Sequence, residues 1–372
     1  MASPELGQQE RAVLDAIVAN PFAGQQEIAD ALGLARSTVA AHIVSLMQKG
    51  QILGRGYVLP EARRVVCVGG ATLDRKYCAP VPVVPHTSNP VTGFRAFGGV
   101  ARNVAENLAC LTAEVGLVSI VGDDEDGRAL LEHLRAVGVD ASGVVTARGR
   151  STAEYVAVLG PDNDLVLGLA DMDVFDLIGV ADIERAWPQI ASASWVFVDC
   201  NLSAEVIAYI LARKHAARFR LAVNAVSTPK ALRLPADHAG IDLLFLNHDE
   251  AMAVLGDVPA GARRPRAAAA AMRERGAGAV VMTHGSAGAF VATGEGVVDC
   301  PGVRAVPVDV TGAGDALIAG TLSRLLAGDG LVEAVRIGTV LAALTTESRA
   351  TVHPELSPRL LEAAMERVPA TA

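Results

Sequence analysis

Along the first fifty residues the apolar positions recur at helical spacing. Val13, Leu14, Ile17 and Val18 share a face of residues 8–20, and Asn20-Pro21 ends that run. Ile28, Ala29 and Leu32 mark a short helix over 25–32, broken at Gly33, and Val39, Ile43, Leu46 and Met47 stripe a third over 35–49. Residues 50–59 read as two short strands around Gly54 and Gly56, a hairpin. Past a hinge at 60–64 the period changes. Residues 65–68 are apolar at every position, as a strand buried on both faces must be, and similar runs follow at 115–121, 195–198, 221–223, 243–246 and 279–282. Helical patterns lie between them at 101–111, 127–137, 204–215 and 266–275. This alternation predicts a three-layer α/β fold with a mostly parallel central sheet. Residues 74–96 and 152–169 carry β patterns without helices, which predicts a small β lid with segments near 75–97 and 150–170. Residues 276–294 lack Asp, Glu, Lys and Arg, yet their glycines, Thr283, His284 and Ser286 suit two buried strands around a turn, not a membrane span.

The change of texture divides the chain into residues 1–60 and 61–372. Helix, short helix, glycine turn, helix, hairpin is the order of a winged helix-turn-helix domain, and QQEIADALGLARSTVAAHIVSLMQKGQI resembles that motif. Arg36, Ser37, Thr38 and His42 are expected on the outer face of its third helix, where DNA would be met. Residues 1–60 hold four basic and five acidic side chains, so attraction to phosphate is small and one copy would bind weakly. A homodimer would set two copies on half-sites about one helical turn apart. A role in oligomerisation or in communication with the rest of the chain is the alternative. Over the whole chain, 32 Lys and Arg face 41 Asp and Glu, a net charge of −9 that argues against a general polyanion-binding surface. Aromatic residues are only 4%, which excludes base-stacking platforms as the main function. Cys67, Cys78, Cys110, Cys200 and Cys300 are scattered without a CxxC pair and read as buried small residues in a reducing compartment. The chain opens without a basic run leading into an apolar one, so a cytoplasmic location is expected.

The densest chemistry lies in Asp309-Val-Thr-Gly-Ala-Gly-Asp315, followed by a helical pattern. Gly312, Ala313 and Gly314 allow backbone N–H groups to converge at a helix N-terminus, an anion hole suited to phosphate. Asp315, in the first turn, is placed to take the proton of a hydroxyl attacking that phosphate, or else serves as an ordinary capping acid. A second cluster, Gly98-Gly99-Val-Ala-Arg-Asn103, also opens a helix. Its glycines let a sugar approach the backbone, and Asn103 offers donors and acceptors to vicinal hydroxyls. Asp74 follows the first strand's C-terminal end, where open α/β sheets bind ligands; it reads as a sugar-hydroxyl acceptor or a solvated loop acid.

Together these stretches resemble the ribokinase-like, PfkB-type family of carbohydrate and nucleoside kinases over residues 65–365. GGVARNVAENLA is similar to its N-terminal signature and DVTGAGDALIAG to its C-terminal one. Asn247-His-Asp-Glu250 resembles the family's NxxE motif, and Thr283-His-Gly285-Ser-Ala-Gly288 its T-x-G-x-x-G turn near the nucleotide. Within the family, SNPVTGFRAFGGVARNVAENLACL, LADMDVFD and VFVDCNLS look like segments of pseudouridine kinases. One departure is Asn224-Ala225-Val226, where those enzymes carry Asp-Pro-Val. The resemblance implies transfer of the ATP γ-phosphoryl group to the 5′-hydroxyl of a ribosyl-type substrate, pseudouridine first among them. It implies Asp74, Gly98, Gly99 and Asn103 around the sugar, Asp315 as base, and Gly312–Ala313–Gly314 as anion hole. Asn224, Thr283, Gly285 and Gly288 would face the nucleotide, and Asn247 and Glu250 would act on Mg2+ through its waters. Asp309 has two readings, a ligand of a monovalent cation (K+) beside the anion hole or a surface acid at a strand end. His248 and His284 read as structural, and Arg102 as a solvated arginine at a helix start. Asp315 is expected to stay ionised at neutral pH, because the helix dipole and nearby N–H groups favour its charged form. A regulator whose kinase-like half only senses a sugar or nucleoside is the competing function.

Overall fold

A computed structural model of the chain describes residues 6–20, 23–53, 63–111, 113–162 and 164–367. The expected hairpin and hinge fall mostly outside these residues. Three helices come first, α1 (Gln8–Ala19), α2 (Gln25–Leu32) and α3 (Arg36–Gln48), packed on a core that includes Val13, Ile17, Ile28, Val39, Ile43 and Leu46. Glu10 of α1 ties that core to the end of α3: it accepts bonds from Ser45 Oγ at 2.6 Å and Lys49 Nζ at 2.7 Å.

The strands that follow are β1 (Arg64–Val68), β2 (Thr72–Cys78), β3 (Thr92–Gly98), β4 (Glu114–Gly122), β5 (Asp140–Ala147), β6 (Glu154–Leu159) and β7 (Leu165–Asp171). After them come β8 (Trp195–Asp199), β9 (Arg220–Asn224), β10 (Leu243–Asn247), β11 (Ala279–Thr283), β12 (Gly288–Thr293) and β13 (Gly296–Pro301). Nine of them form one sheet in the order β13-β12-β11-β10-β9-β8-β1-β4-β5, parallel except where β12 joins β11 and β13. The other four form a small sheet, β3-β2-β6-β7. Because the side-chain period of a strand is two, β1 serves two cores at once. Val65 and Cys67 face the helices α4 (Val100–Cys110), α5 (Glu125–Ala136) and α11 (Ala313–Ala327). Val66 and Val68 face α6 (Val180–Ala191), α7 (Ala204–Lys214) and α10 (Pro265–Glu274), with α8 (Thr228–Ala231) and α9 (His248–Leu255) between the last two in the chain. The uniformly apolar strands of the sequence are thus buried on both faces, and the fold is α/β with a mostly parallel central sheet between two layers of helices. Among the described residues no cysteine is in a disulfide; Cys67, Cys200 and Cys300 are buried as expected, whereas Cys78 and Cys110 are half-buried. Among the described residues no helix is long and apolar enough to cross a membrane.

Helix α11 is fixed by α12 (Leu331–Thr346), whose backbone it meets closely: a side chain at Gly320 would stand 2.9 Å from the Gly338 Cα. Helix α12 escapes a periodicity reading because it is apolar nearly all round, as a helix packed on several sides must be.

The N-terminal helices are anchored to the larger body. Trp187 Nε1 of α6 donates to the Gln48 carbonyl at 3.4 Å, Arg218 Nη1 donates to Gln51 Oε1 at 2.7 Å, and Ile52 is fully buried. Gly50 lies at φ 67° with its missing side chain aimed at the Ala191 carbonyl oxygen, 2.0 Å away. No other residue fits there. Gly50→Val is therefore expected to free the N-terminal helices, at a strain of about 1–3 kcal/mol. Limited proteolysis checks this: cleavage between residues 50 and 64 should quicken, and an unchanged cleavage rate would show that the contact carries no weight.

Candidate active site

The parallel strands end on a row of polar residues. Asp199 closes β8 opposite Asn224 of β9, and Asn247 closes β10 opposite Thr283 of β11. This is the carboxyl edge, and between β1 and β8 the strand order reverses, which opens a crevice there. Asp199 lies at that reversal, fully buried, and one sequence signal marks it: an apolar strand ending in a carboxylate. Its oxygens accept N–H bonds from Gly70 and Ala101, each at 2.9 Å, and from Asn201 at 2.9 Å. It therefore pins the β1 glycine turn to the start of α4. Burial pushes its pKa up, against the pull of those three donors.

Asp315 sits in the first turn of α11 and accepts from Asn103 Nδ2 at 2.7 Å. Asn103 is itself oriented by Arg102, whose guanidinium bonds the Asn103 Oδ1 and Glu106, and donates to the Phe97 carbonyl at 2.7 Å and Thr351 Oγ1 at 3.1 Å. Arg102 is 2% exposed. The solvated arginine expected here is a buried clamp, because α4 packs against β1 and α11 with the Phe97 carbonyl and Thr351 facing Arg102. Of the two readings of Asp74 the solvated loop acid does not hold: Asp74 lies on β2 of the small sheet, 8% exposed, and accepts from Thr72 Oγ1 at 2.9 Å. Burial raises its pKa, while the Thr72 bond, Arg102 and Lys76 lower it. Gly98 abuts it so closely that any side chain would overlap the Asp74 carboxyl carbon at 2.3 Å.

Asp315 departs from the ionised state expected of it. Loss of water around its carboxyl group pushes the pKa up to about 7; the Asn103 bond and Arg102 pull it down, and Asp199 and Asp74 push it further up. Burial among other acids outweighs the helix dipole, whose effect at a helix end is only about 0.3–1 kcal/mol.

Gly312 precedes α11 in the left-handed region at φ 84°, with Thr351 O only 2.1 Å from where its Cβ would stand, whereas Gly314 opens to free space. Beyond them a cavity of about 370 Å3 is lined by Thr283, Gly285, Gly288, Val303, Ala313 and Gly314 among others. The structure thus brings Asp74, Gly98, Gly99, Asn103 and Asp315 together on one side of the α11 turn. It brings Thr283, Gly285 and Gly288 together on the other.

Asn224, Asn247 and Glu250 stand outside that cavity lining. Asn224 Oδ1 accepts from the Val226 N–H at 2.9 Å, and Val226 is held at φ 69°, a left-handed conformation that costs a branched residue strain. Glu250 spends both oxygens on Asn247, taking its backbone N–H at 2.8 Å and its Nδ2 at 2.9 Å in a capping box. Burial raises the Glu250 pKa. His248 Nε2 bonds the Arg263 carbonyl at 2.8 Å, and His284 stacks near Phe290.

On α3, Arg36 and Ser37 are exposed and Thr38 is half-exposed. His42 departs from the outer face: its Nε2 is buried without a hydrogen-bond partner among the described residues. Position 42 follows Val39 by three and precedes Leu46 by four, which turns it toward the core stripe.

Residues 62–358 match the model of the pfkB family of carbohydrate kinases, and residues 6–52 match that of the winged helix-turn-helix DNA-binding family. An uncharacterized sugar kinase of Escherichia coli, YeiI, is 31% identical over 355 residues, 95% of this chain and 97% of its own length. The pseudouridine kinase of Escherichia coli is 29% identical over 79% of this chain and 93% of its own. Among solved structures, a carbohydrate kinase from Agrobacterium tumefaciens is 32% identical with a TM-score of 0.72, covering 82% of this chain and 98% of that one.

Proposed function

Since the chain belongs to the pfkB family of carbohydrate kinases, we propose that it transfers the γ-phosphoryl group of ATP to the 5′-hydroxyl of pseudouridine. One observation carries this reading: the Asn103-held carboxylate of Asp315 lies one turn from the left-handed Gly312, with Asp74 in the same buried cluster. Base, anion hole and sugar acceptor would thus be neighbours around one turn. Likeness to a pseudouridine kinase supports the choice of substrate.

Asp74 and Asn103 hold the sugar hydroxyls, and the small sheet that carries Asp74 covers them as a lid. The 5′-oxygen attacks the γ-phosphorus as the bond from that phosphorus to the β–γ bridging oxygen breaks. ADP leaves with that oxygen, and the hydroxyl proton passes to Asp315. Backbone N–H groups of Gly312, Ala313 and Gly314 stabilise the charge on the transferred group. The adenine side of ATP occupies the cavity beside Thr283, Gly285 and Gly288, with Asn224 at the same sheet edge. Mg2+ bound with ATP supplies further charge neutralisation. Among the described residues no group of His, Cys, Asp and Glu is set to ligate a metal by itself. Mg2+ keeps most of its waters, so Asn247 and Glu250 would meet it through them.

Turnover of Mg·ATP with pseudouridine, uridine, ribose, adenosine and fructose tests this. The expected result is the highest kcat/KM for pseudouridine, with a new phosphomonoester in the phosphorus NMR spectrum. A pseudouridine rate no better than the rest would sink the substrate assignment, and no turnover of any by folded protein would sink catalysis.

A second reading is supported by the match over residues 6–52 and the exposure of Arg36 and Ser37: DNA binding through the start of α3. Salt-sensitive binding of the full-length protein to DNA, weakened by Arg36→Ala, is its mark. DNA binding that does not change with salt, or none, would remove it.

A further inference from the structure

One of the two readings of Asp309 makes it a ligand of a monovalent cation, and the residues around that carboxylate do not fit one. Asp309 Oδ1 accepts the Thr311 N–H at 2.9 Å, and its Oδ2 is paired with the ammonium of Lys76. Lys76 Nζ also donates to Thr311 Oγ1 at 2.8 Å. A K+ ion needs several oxygen donors, and here the carboxylate and the hydroxyl that would supply them already surround a fixed positive charge. A second cation beside that ammonium would be repelled. Both side chains of the pair are mostly buried, at 16% and 19% exposure, so water screens it weakly.

The position of Lys76 matters as much as its charge. It lies on β2 two residues after Asp74, so strand alternation sets both side chains on one face of the small sheet. Asp309 and Thr311 lie in the turn that ends at Gly312. The pair therefore joins the sheet bearing the sugar acceptor to the backbone that forms the anion hole, across 233 residues of sequence.

We propose that Lys76 is a built-in replacement for the monovalent cation: a positioning residue whose ammonium holds the Asp309–Thr311 turn, so that the enzyme works without K+. This rests on the kinase reading above. It assigns Lys76 no contact with the reacting atoms; it acts through the turn that aims the N–H groups of Gly312 to Gly314.

The test compares full-length wild type, Lys76→Met, Lys76→Gln and Lys76→Met/Asp309→Asn in potassium chloride and in choline chloride at equal ionic strength. Two readouts are taken, kcat with Mg·ATP and pseudouridine, and the melting temperature without substrates. The wild type should show the same kcat and melting temperature in both salts. Lys76→Met should lose about tenfold or more in kcat in choline, since misplaced catalytic groups cost up to about 10²-fold. Potassium should restore part of that loss and raise the variant's melting temperature. The double variant, which lacks the carboxylate, should gain nothing from potassium. Lys76→Gln replaces Lys76→Met if the latter does not fold. A wild type activated or stabilised by potassium overturns the proposal, as does a folded Lys76 variant that responds equally to both salts. If the wild type turns over no substrate, the kinase reading fails alone, because the melting comparison still decides the role of Lys76.

Discussion

Asp315→Asn is expected to lower kcat by about 10²–10⁴-fold, the usual worth of general-base assistance, with little change in the KM for the nucleoside. Asn keeps the shape and can still meet Asn103, but it has no lone pair basic enough to take the proton of the attacking hydroxyl. Since burial raises the wild-type pKa to about 7, part of the free enzyme is protonated at neutral pH and idle as a base. Wild-type kcat/KM should therefore climb as pH rises through about 7 and level off above it, and the variant should lose that inflection. Stability should run the other way. An aspartate whose folded pKa exceeds its unfolded value stabilises the fold at low pH, and that contribution is lost as pH rises through about 7. Asp315→Asn has no charge to bury, so its melting temperature should overtake that of the wild type on the alkaline side. Steady-state kinetics and thermal melts across pH check both. Near-wild-type kcat in Asp315→Asn would remove the residue from the mechanism and leave it a first-turn acid of α11 held by Asn103.

The second large effect is expected at Gly312. Valine there would carry a β-branched side chain at φ 84° and drive its Cβ to 2.1 Å from Thr351 O. The turn must shift, at a strain of about 1–3 kcal/mol, and the N–H groups it aims shift with it. Loss of one such donor typically costs about 10²–10³-fold in kcat, so Gly312→Val should fall in that range and melt earlier. Gly314 is the control. No atom lies within 4 Å of its missing Cβ and its φ is ordinary, so Gly314→Ala should keep the melting temperature. Its methyl group would project into the open cleft and raise the KM for ATP. A Gly312→Val enzyme with unchanged kcat would mean that phosphate charge is met elsewhere.

Much of the architecture was legible in the sequence, for a local reason. A strand buried on both faces must be apolar throughout, and an amphipathic helix must repeat near 3.6 residues, so segments such as 65–68 and 204–215 declare themselves. Gly98-Gly99 and Gly312 were legible because close approach to neighbouring atoms admits nothing larger there. Edge strand β5 and helix α12 were not, since one has no full apolar run and the other is apolar nearly all round.

The candidate site was legible as a set of residues but not as an electrostatic object. Sequence alone named Asp74, Asn103 and Asp315, yet it left Asp74 between a sugar acceptor and a solvated acid, and set Arg102 in water and Asp315 in its ionised form. Arg102 is a clamp only because Phe97, Glu106 and Thr351 converge on it, and Lys76 reaches Asp309 only because the small sheet meets the turn before α11. What the sequence determined by itself was therefore the order of elements and the chemical types available at each turn. Tertiary structure alone decided which carboxylates lose their water and which cation each one meets. Periodicity is a property of neighbours along the chain, whereas desolvation and charge pairing depend on every atom nearby in space.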